Sequence, residues 1–153
     1  IVLGCDSMLE LDGETLGKPR DAGEAERRIA QQSGRSALLH TGHWLVDLRD
    51  GRPEGRIEVG ATSSTVVRFA TLTREEIGAY VATGEPLAVA GAFTIDGLGG
   101  PFIEGIDGDH HGVVGLSLPT LRHLLAQLDV SVMALWRPGT ETSQAERGDA
   151  RHG

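Results

Sequence analysis

Asp6 is the residue that most constrains the chemistry this chain can do. It stands inside the apolar run Ile1-Val2-Leu3-Gly4-Cys5-Asp6-Ser7-Met8-Leu9, where a carboxylate buried without a partner costs on the order of several kcal/mol. It therefore needs a cleft or a partner; backbone amides at a strand end are the structural alternative. Lys18, in Gly17-Lys18-Pro19, follows a turn whose fixed backbone can aim a long cationic side chain back at the end of the first strand. Asp6 and Lys18 then flank one polar site, with a solvated loop lysine as the plain alternative. Glu85, in Thr83-Gly84-Glu85-Pro86, sits at a helix C-terminus, where a carboxylate opposes the helix dipole. That conflict hints at a task, against the plain reading of an exposed loop carboxylate.

Other constellations carry less. Gly97-Leu98-Gly99-Gly100 matches neither a P-loop nor a dinucleotide fingerprint and no helix start follows it, so it reads as a tight turn. Asp107, Asp109, His110 and His111 read as a solvated loop rather than a metal centre, since two adjacent histidines cannot easily face one ion from a strand. Thr41-Gly42-His43 lies among apolar neighbours and reads as a satisfied, partly buried histidine. Cys5, next to Asp6, points to the opposite strand face and so into the core.

The elements that must position these residues follow from period and punctuation. The first run is apolar on both alternate faces, which predicts a strand covered on both sides. Asp12-Gly13 centres a turn, and Asp21 caps a mostly polar surface helix, with Glu24 as its capping-box partner and Gly34 at its end. Residues 37–48 and 56–70 are β-rich and pair antiparallel across the Gly- and Pro-containing loop 49–55. Thr73 with Glu76 opens a second helix that ends near Gly84, with Ile77, Tyr80 and Val81 at helical spacing. Short strands are expected at 89–95, 101–106 and 113–118, then a helix from Pro119 to Leu128 with Leu121, Leu124, Leu125 and Leu128 on one face, then a last strand Val130–Trp136. Residues 137–153 offer nothing to bury and are expected to be a disordered tail. The class is thus α/β or α+β around a mixed sheet, with one domain over residues 1–136.

Composition narrows the function classes. The 153 residues, 39% of them apolar, suffice for one core without staples. A lone cysteine excludes an internal disulfide, and a net charge of -8 argues against a broad nucleic-acid footprint. A small polyanion remains compatible, given a local cation or a metal ion. The absence of a long uncharged apolar run or a basic-then-apolar leader predicts a chain in the cytoplasm with no membrane role. The chain opens at Ile1 directly inside its apolar run, so a preceding N-terminal segment is expected to be missing.

Taken in order, these segments resemble the Maf family, a branch of the inosine-triphosphatase-like nucleotide pyrophosphatases. The matching stretches are Gly4-Cys5-Asp6-Ser7 with Gly17-Lys18-Pro19; Ser33-Gly34-Arg35 then Thr41-Gly42; Thr65-Val66-Val67-Arg68-Phe69; Glu76-Ile77 through Tyr80 to Gly84-Glu85-Pro86; Ala90-Gly91-Ala92-Phe93 with Asp96-Gly97; and Val113-Val114-Gly115-Leu116-Ser117-Leu118-Pro119. No one stretch is decisive; six in the same order are specific.

The resemblance implies a two-lobed α/β fold around a mixed sheet, with a nucleotide in the cleft and a divalent cation, Mg²⁺ or Mn²⁺. It implies hydrolysis of a nucleoside triphosphate to monophosphate and pyrophosphate, in a house-cleaning role. Asp6 falls on the family's catalytic aspartate and would hold the metal; Lys18 falls on a lysine expected to contact the triphosphate. Ser7 and Asp96 map to positions associated with substrate choice. Related proteins carry Gln or Glu at the latter, so an acidic Asp96 leans toward a base that presents N–H donors. Glu85 lies in a recurrent motif and is expected on the substrate side. The family's N-terminal Ser-x-Ser-Pro-Arg-Arg segment has no counterpart here, nor do an acidic residue and a lysine that normally follow it, and Val89 replaces a frequent lysine. These departures keep a second expectation open: a non-catalytic nucleotide-binding module, or a regulator of division as the family's septum-formation name suggests. Monomer and homodimer are both compatible with the sequence.

Overall fold

The computed structural model describes residues 1–49 and 57–136. Five strands, β1 (Val2–Leu11), β2 (Glu14–Leu16), β3 (Ser36–Asp47), β4 (Ile57–Phe69) and β5 (Ile103–Asp107), form one sheet in the order β2-β1-β3-β4-β5. Four helices accompany it: α1 (Ala22–Gln32), α2 (Arg74–Ala82), α3 (His110–Val114) and α4 (Leu118–Gln127). The α/β class stands, and every strand pairing among the described residues is antiparallel. Parallel neighbours would need crossover strands, and the segments that could have supplied them wind into helical turns instead.

Alternation sets which face is buried. Along β3, Ala37, Leu39, Thr41, His43, Leu45 and Asp47 are buried while the residues between them are not, the period-2 signature of a sheet covered on one side. Three apolar clusters lie under that cover. Leu9, Leu11, Ala37, Leu39, Val67 and Phe69 close over Phe93, whose ring meets Phe69 edge-on at 5.0 Å. Ala25 and Ile29 of α1 pack against Ile77, Tyr80 and Val81 of α2. Leu124 and Leu125 of α4, with Leu128 just past its end, seat on Leu45. Burying one such leucine is worth about 1.5–3 kcal/mol.

The local signals explain most boundaries. Asp12 (φ 55) and Gly13 (φ 81) both take the left-handed conformation, as a two-residue hairpin turn between β1 and β2 requires. Asp21 caps α1 by accepting from Glu24 N, and Glu24 answers one residue earlier than expected, accepting from Arg20 N at 2.8 Å. The Thr73–Glu76 capping box of α2 is complete. Ser117 caps α4 one residue ahead of Leu118-Pro119, fixing the leucine face predicted from sequence.

Several expectations fail. β1 is covered on neither face over its first half: Val2 is 55% exposed, and Leu9 is its first fully buried residue. The reason is placement, since α4 rests on β3 and β4 and leaves the register partners of Leu45 on β1 open. Cys5 is accordingly exposed rather than in the core, and partial desolvation holds its thiol above the usual value. The strand expected at 89–95 holds instead the 3₁₀ turn Ala90–Ala92, in which Gly91 and Ala92 take positive φ and which follows the turn Glu85–Ala88 across the extended Val89. The strand expected at 113–118 is instead the end of α3 and the cap and first residue of α4, because Asp109 accepts from His111 N and Gly112 N and starts a helix at His110 while Ser117 caps the next. The last strand is a 3₁₀ turn, Val132–Leu135, capped by Ser131. The loop expected at 49–55, apart from Arg49, and the tail expected at 137–153 lie outside the described residues.

Candidate functional site

The first strand, the turn after β2, the stretch after α2 and the end of α3 converge on one cleft of about 240 Å³. Asp6 and Ser7 come from β1, Lys18 from the turn, Asp96 from the glycine-dense loop, and Val113 to Gly115 from α3 and its end. Four of the five residues singled out from the sequence therefore line one cleft, and Glu85 is not among the lining residues.

Asp6 is exposed, and the hydrogen bond found for its carboxylate is local, from Ser7 N at 2.9 Å. Of the alternatives derived for it, a cleft or partner against a set of strand-end amides, the cleft is the one found, with Asp6 exposed among its lining residues. Its opposite number Lys18 is exposed, with no hydrogen bond or ion pair among the described residues. The backbone that carries Lys18 is by contrast fixed. Gly17 O accepts from Arg28 Nη1 at 2.5 Å and from Gly91 N at 3.2 Å, and Glu24 holds Arg28 at 2.6 Å. Gln32, 1% exposed, donates to Gly91 O at 2.6 Å. Helix α1 thereby ties together the turn of Lys18 and the 3₁₀ stretch that floors the cleft. Sequence reasoning missed Arg28 and Gln32; their signal was an apolar-poor helix with polar residues on the face that packs inward.

Ser7 has a defined polarity. Thr41 Oγ1 spends its single proton on Gly112 O at 2.7 Å. In the 2.8 Å contact between the two hydroxyls, Ser7 must therefore be the donor. Its remaining lone pairs make it an acceptor toward the cleft. Asp96, exposed on the opposite wall, is also an acceptor.

Glu85 lies behind that wall. It accepts from Tyr80 Oη at 3.0 Å, Leu98 N at 3.0 Å, Gly99 N at 3.0 Å, and the Thr94 hydroxyl. Tyr80 Oη in turn accepts from Thr94 N at 3.1 Å. Burial tends to raise the Glu85 carboxyl, but its donors Thr94, Leu98, Gly99 and Tyr80 outweigh that and hold it below the ordinary carboxylate range. Burial, with the Glu85 charge assisting, pushes the Tyr80 phenol up to about 12. The dipole conflict seen in the sequence is resolved by these N–H donors. They also remove the phosphate-cradle reading of Gly97-Leu98-Gly99-Gly100, since the amides of Leu98 and Gly99 already face a carboxylate.

The remaining candidates are structural. Asp109 caps α3, and its carboxyl lies below the usual range because hydrogen bonds from Ser117, His111 and Gly112 exceed the cost of burial. His43 is 3% exposed and its Nε2 accepts from Ser117 N at 2.9 Å, while Nδ1 has no partner among the described residues. No three His, Cys, Asp or Glu side chains cluster as a metal centre among the described residues. Asp6 and Asp96 are the cleft's carboxylates, a donor set that fits a magnesium-like ion held by one or two carboxylates together with substrate phosphates. No helix among the described residues is long and apolar enough to cross a membrane.

Comparison with known proteins shows what the chain is similar to. The family model described as Maf-like protein matches residues 1–128. The chain is 57% identical over 142 residues to a protein of Salinispora tropica named nucleoside triphosphate pyrophosphatase, covering 93% of this chain and 61% of that one. Proteins of the same name from Streptomyces avermitilis and Streptomyces coelicolor are 57% and 56% identical, covering 90% and 92% of this chain. The chain spans 65% and 66% of those two relatives' length. A family match over residues 1–128 and identities above one half, on a fold whose cleft gathers Asp6, Ser7, Lys18 and Asp96, lead to one conclusion: this chain belongs to the Maf-like protein family.

Proposed function

We propose that the cleft hydrolyses a nucleoside triphosphate to the monophosphate and pyrophosphate. The observation that carries this reading is the meeting of an exposed carboxylate, Asp6, and an exposed ammonium, Lys18, in one cleft whose far wall offers a further carboxylate, Asp96. The names of the relatives support the same reaction for this chain.

A water oxygen attacks the α-phosphorus, the bond from that phosphorus to the bridging oxygen breaks, and pyrophosphate leaves with the electron pair. Asp6 accepts the water's proton or would hold a divalent cation. When bound, Mg²⁺ or Mn²⁺ lowers the pKa of a water and offsets phosphoryl charge. Lys18 supplies an exposed cation for the departing pyrophosphate, where a charge-assisted contact is worth about 1.5–3 kcal/mol. Leu39 and Phe93 supply apolar lining for a base.

Ser7 and Asp96 select the base. Both present acceptors, so they suit a ring with several N–H donors, as guanine has, over uracil or thymine with one. A site built to hydrogen-bond a substrate discriminates strongly when the partner is missing. On this reading the protein is a house-cleaning hydrolase of the cytoplasm whose partner is a nucleotide rather than a nucleic-acid polymer or a membrane.

The test is release of pyrophosphate by the 153-residue chain with Mg²⁺ or Mn²⁺, across common and modified nucleoside triphosphates. Equimolar monophosphate and pyrophosphate, fastest with guanine-like bases, is the expected result. Binding without turnover would reassign the cleft to a nucleotide-binding, division-regulating role.

A further inference from the structure

The cleft's far wall is a loop with no regular structure of its own. Residues 94–99 follow a 3₁₀ turn and precede another, Gly100–Phe102, yet Thr94, Ile95 and Asp96 all line the cleft. Something other than a strand or helix has to hold Asp96 in place.

We propose that Glu85 is a positioning residue for substrate choice: its carboxylate gathers the 94–99 loop from behind and so fixes Asp96 at the cleft. One oxygen, Oε1, receives the Tyr80 hydroxyl, the Thr94 hydroxyl and Gly99 N. The other, Oε2, receives Leu98 N. The donors thus bracket Asp96 on both sides in the sequence, at Thr94 before it and at Leu98 and Gly99 after it. Tyr80, 4% exposed and anchored in helix α2, adds a second clamp by accepting from Thr94 N.

The glycines are cut to the same shape. A Cβ at Gly97 would stand 2.7 Å from Glu85 Oε2, and one at Gly99 would stand 2.4 Å from Tyr80 Oη. A Cβ at Gly97 would push the Glu85 carboxylate out of its place, and one at Gly99 would also stand 2.6 Å from the Thr94 backbone O, so the loop closes around the carboxylate as it stands with glycine at both positions. An ionised acceptor makes these bonds shorter and stronger than neutral ones, which suits a loop that must present one side chain at a set place. Glu85 touches no cleft space itself; it acts through Asp96.

This inference rests on the nucleotide reading for its substrate and on geometry alone for the loop, and the experiment separates the two. Glu85→Gln keeps the side-chain shape but sets an NH₂ against backbone N–H donors. The readouts are kcat/KM for GTP and UTP with wild type, Glu85→Gln, Asp96→Asn and the double variant, and amide hydrogen exchange at Leu98 and Gly99. The expected result is faster exchange at both amides, a fall of about tenfold in the GTP-to-UTP ratio for each single variant, and no further fall in the double variant, since both act through one side chain. Faster exchange with wild-type selectivity would overturn the proposal, as would additive losses. Should Glu85→Gln fail to fold, Tyr80→Phe tests the same clamp with the same outcomes. If wild type turns over no nucleotide, the hydrolase reading fails separately, and exchange at Leu98 and Gly99 alone then decides whether Glu85 holds the loop.

Discussion

Asp6 and Glu85 are carboxylates on either side of the same cleft, and their surroundings could hardly differ more. Asp6 is exposed, on a strand whose first half nothing covers among the described residues, and the bond found for it comes from the next residue's amide. Glu85 is partly buried and takes hydrogen bonds from four residues. An acceptor with free lone pairs at a cleft mouth can still take a proton or a cation. One whose lone pairs are filled by its own protein cannot, and its worth lies in shape. The contrast separates a group left free to react from a group that holds, within one molecule and for one chemical type.

The largest effect that tests this contrast is on turnover. Asp6→Asn should cut hydrolysis by about 10²–10⁴, the usual worth of general base work, while the melting temperature stays within a few degrees of wild type. A loss of stability comparable to the loss of rate would place Asp6 with Glu85 among the holding groups. Gly99→Ala tests the other side: with a Cβ only 2.4 Å from Tyr80 Oη, overpacking should cost about 1–3 kcal/mol in denaturant unfolding. An unchanged midpoint would mean that the loop is not closed on the carboxylate in solution.

Lys18→Ala should raise the KM for nucleotide by roughly tenfold or more, the factor that one charge-assisted phosphate contact supplies, and leave thermal stability unaltered because the side chain is exposed. Tyr80→Phe should cost about 1 kcal/mol by urea titration, the net value of a hydrogen bond of this kind.

The smallest effect is in the pH dependence. Because the Glu85 carboxyl is held below its ordinary value in the folded chain, the stability it contributes is complete above the unfolded carboxylate value, about 4.3. That stability is lost as pH falls through the depressed folded value. Wild type should therefore be more stable than Glu85→Gln at neutral pH, and the two melting curves should converge in acid. Parallel curves would show that the carboxylate's charge is not what the loop uses.

Much of this was legible from the chain, and the failures share a cause. The antiparallel pair β3 and β4, the capped helices α1, α2 and α4 and the hairpin at Asp12-Gly13 are all carried by signals within a few residues of one another. The expected strands at 89–95 and 113–118 were short apolar runs, where periodicity cannot tell a strand from helical turns. In the second, the deciding residue was Asp109, whose capping role outweighed the β-branched pair Val113-Val114. Two-sided cover for β1 failed because its pattern records what each face could bury, whereas α4 lies over β3 and β4.

The same division runs through the site. Sequence by itself determined which side chains were worth watching, since an Asp in an apolar run, a Lys after a turn and a Glu at a helix end are each locally costly or locally aimed. Only the tertiary structure decided that Asp6, Lys18 and Asp96 share a cleft while Glu85 stands behind its wall. It also decided that Ser7 is an acceptor there, through a chain of hydroxyls ending at Gly112 O. The physical reason is that local sequence sets the chemistry and cost of each group within a turn or two. Which groups meet depends on contacts between residues dozens of positions apart, and those contacts form only when the core closes.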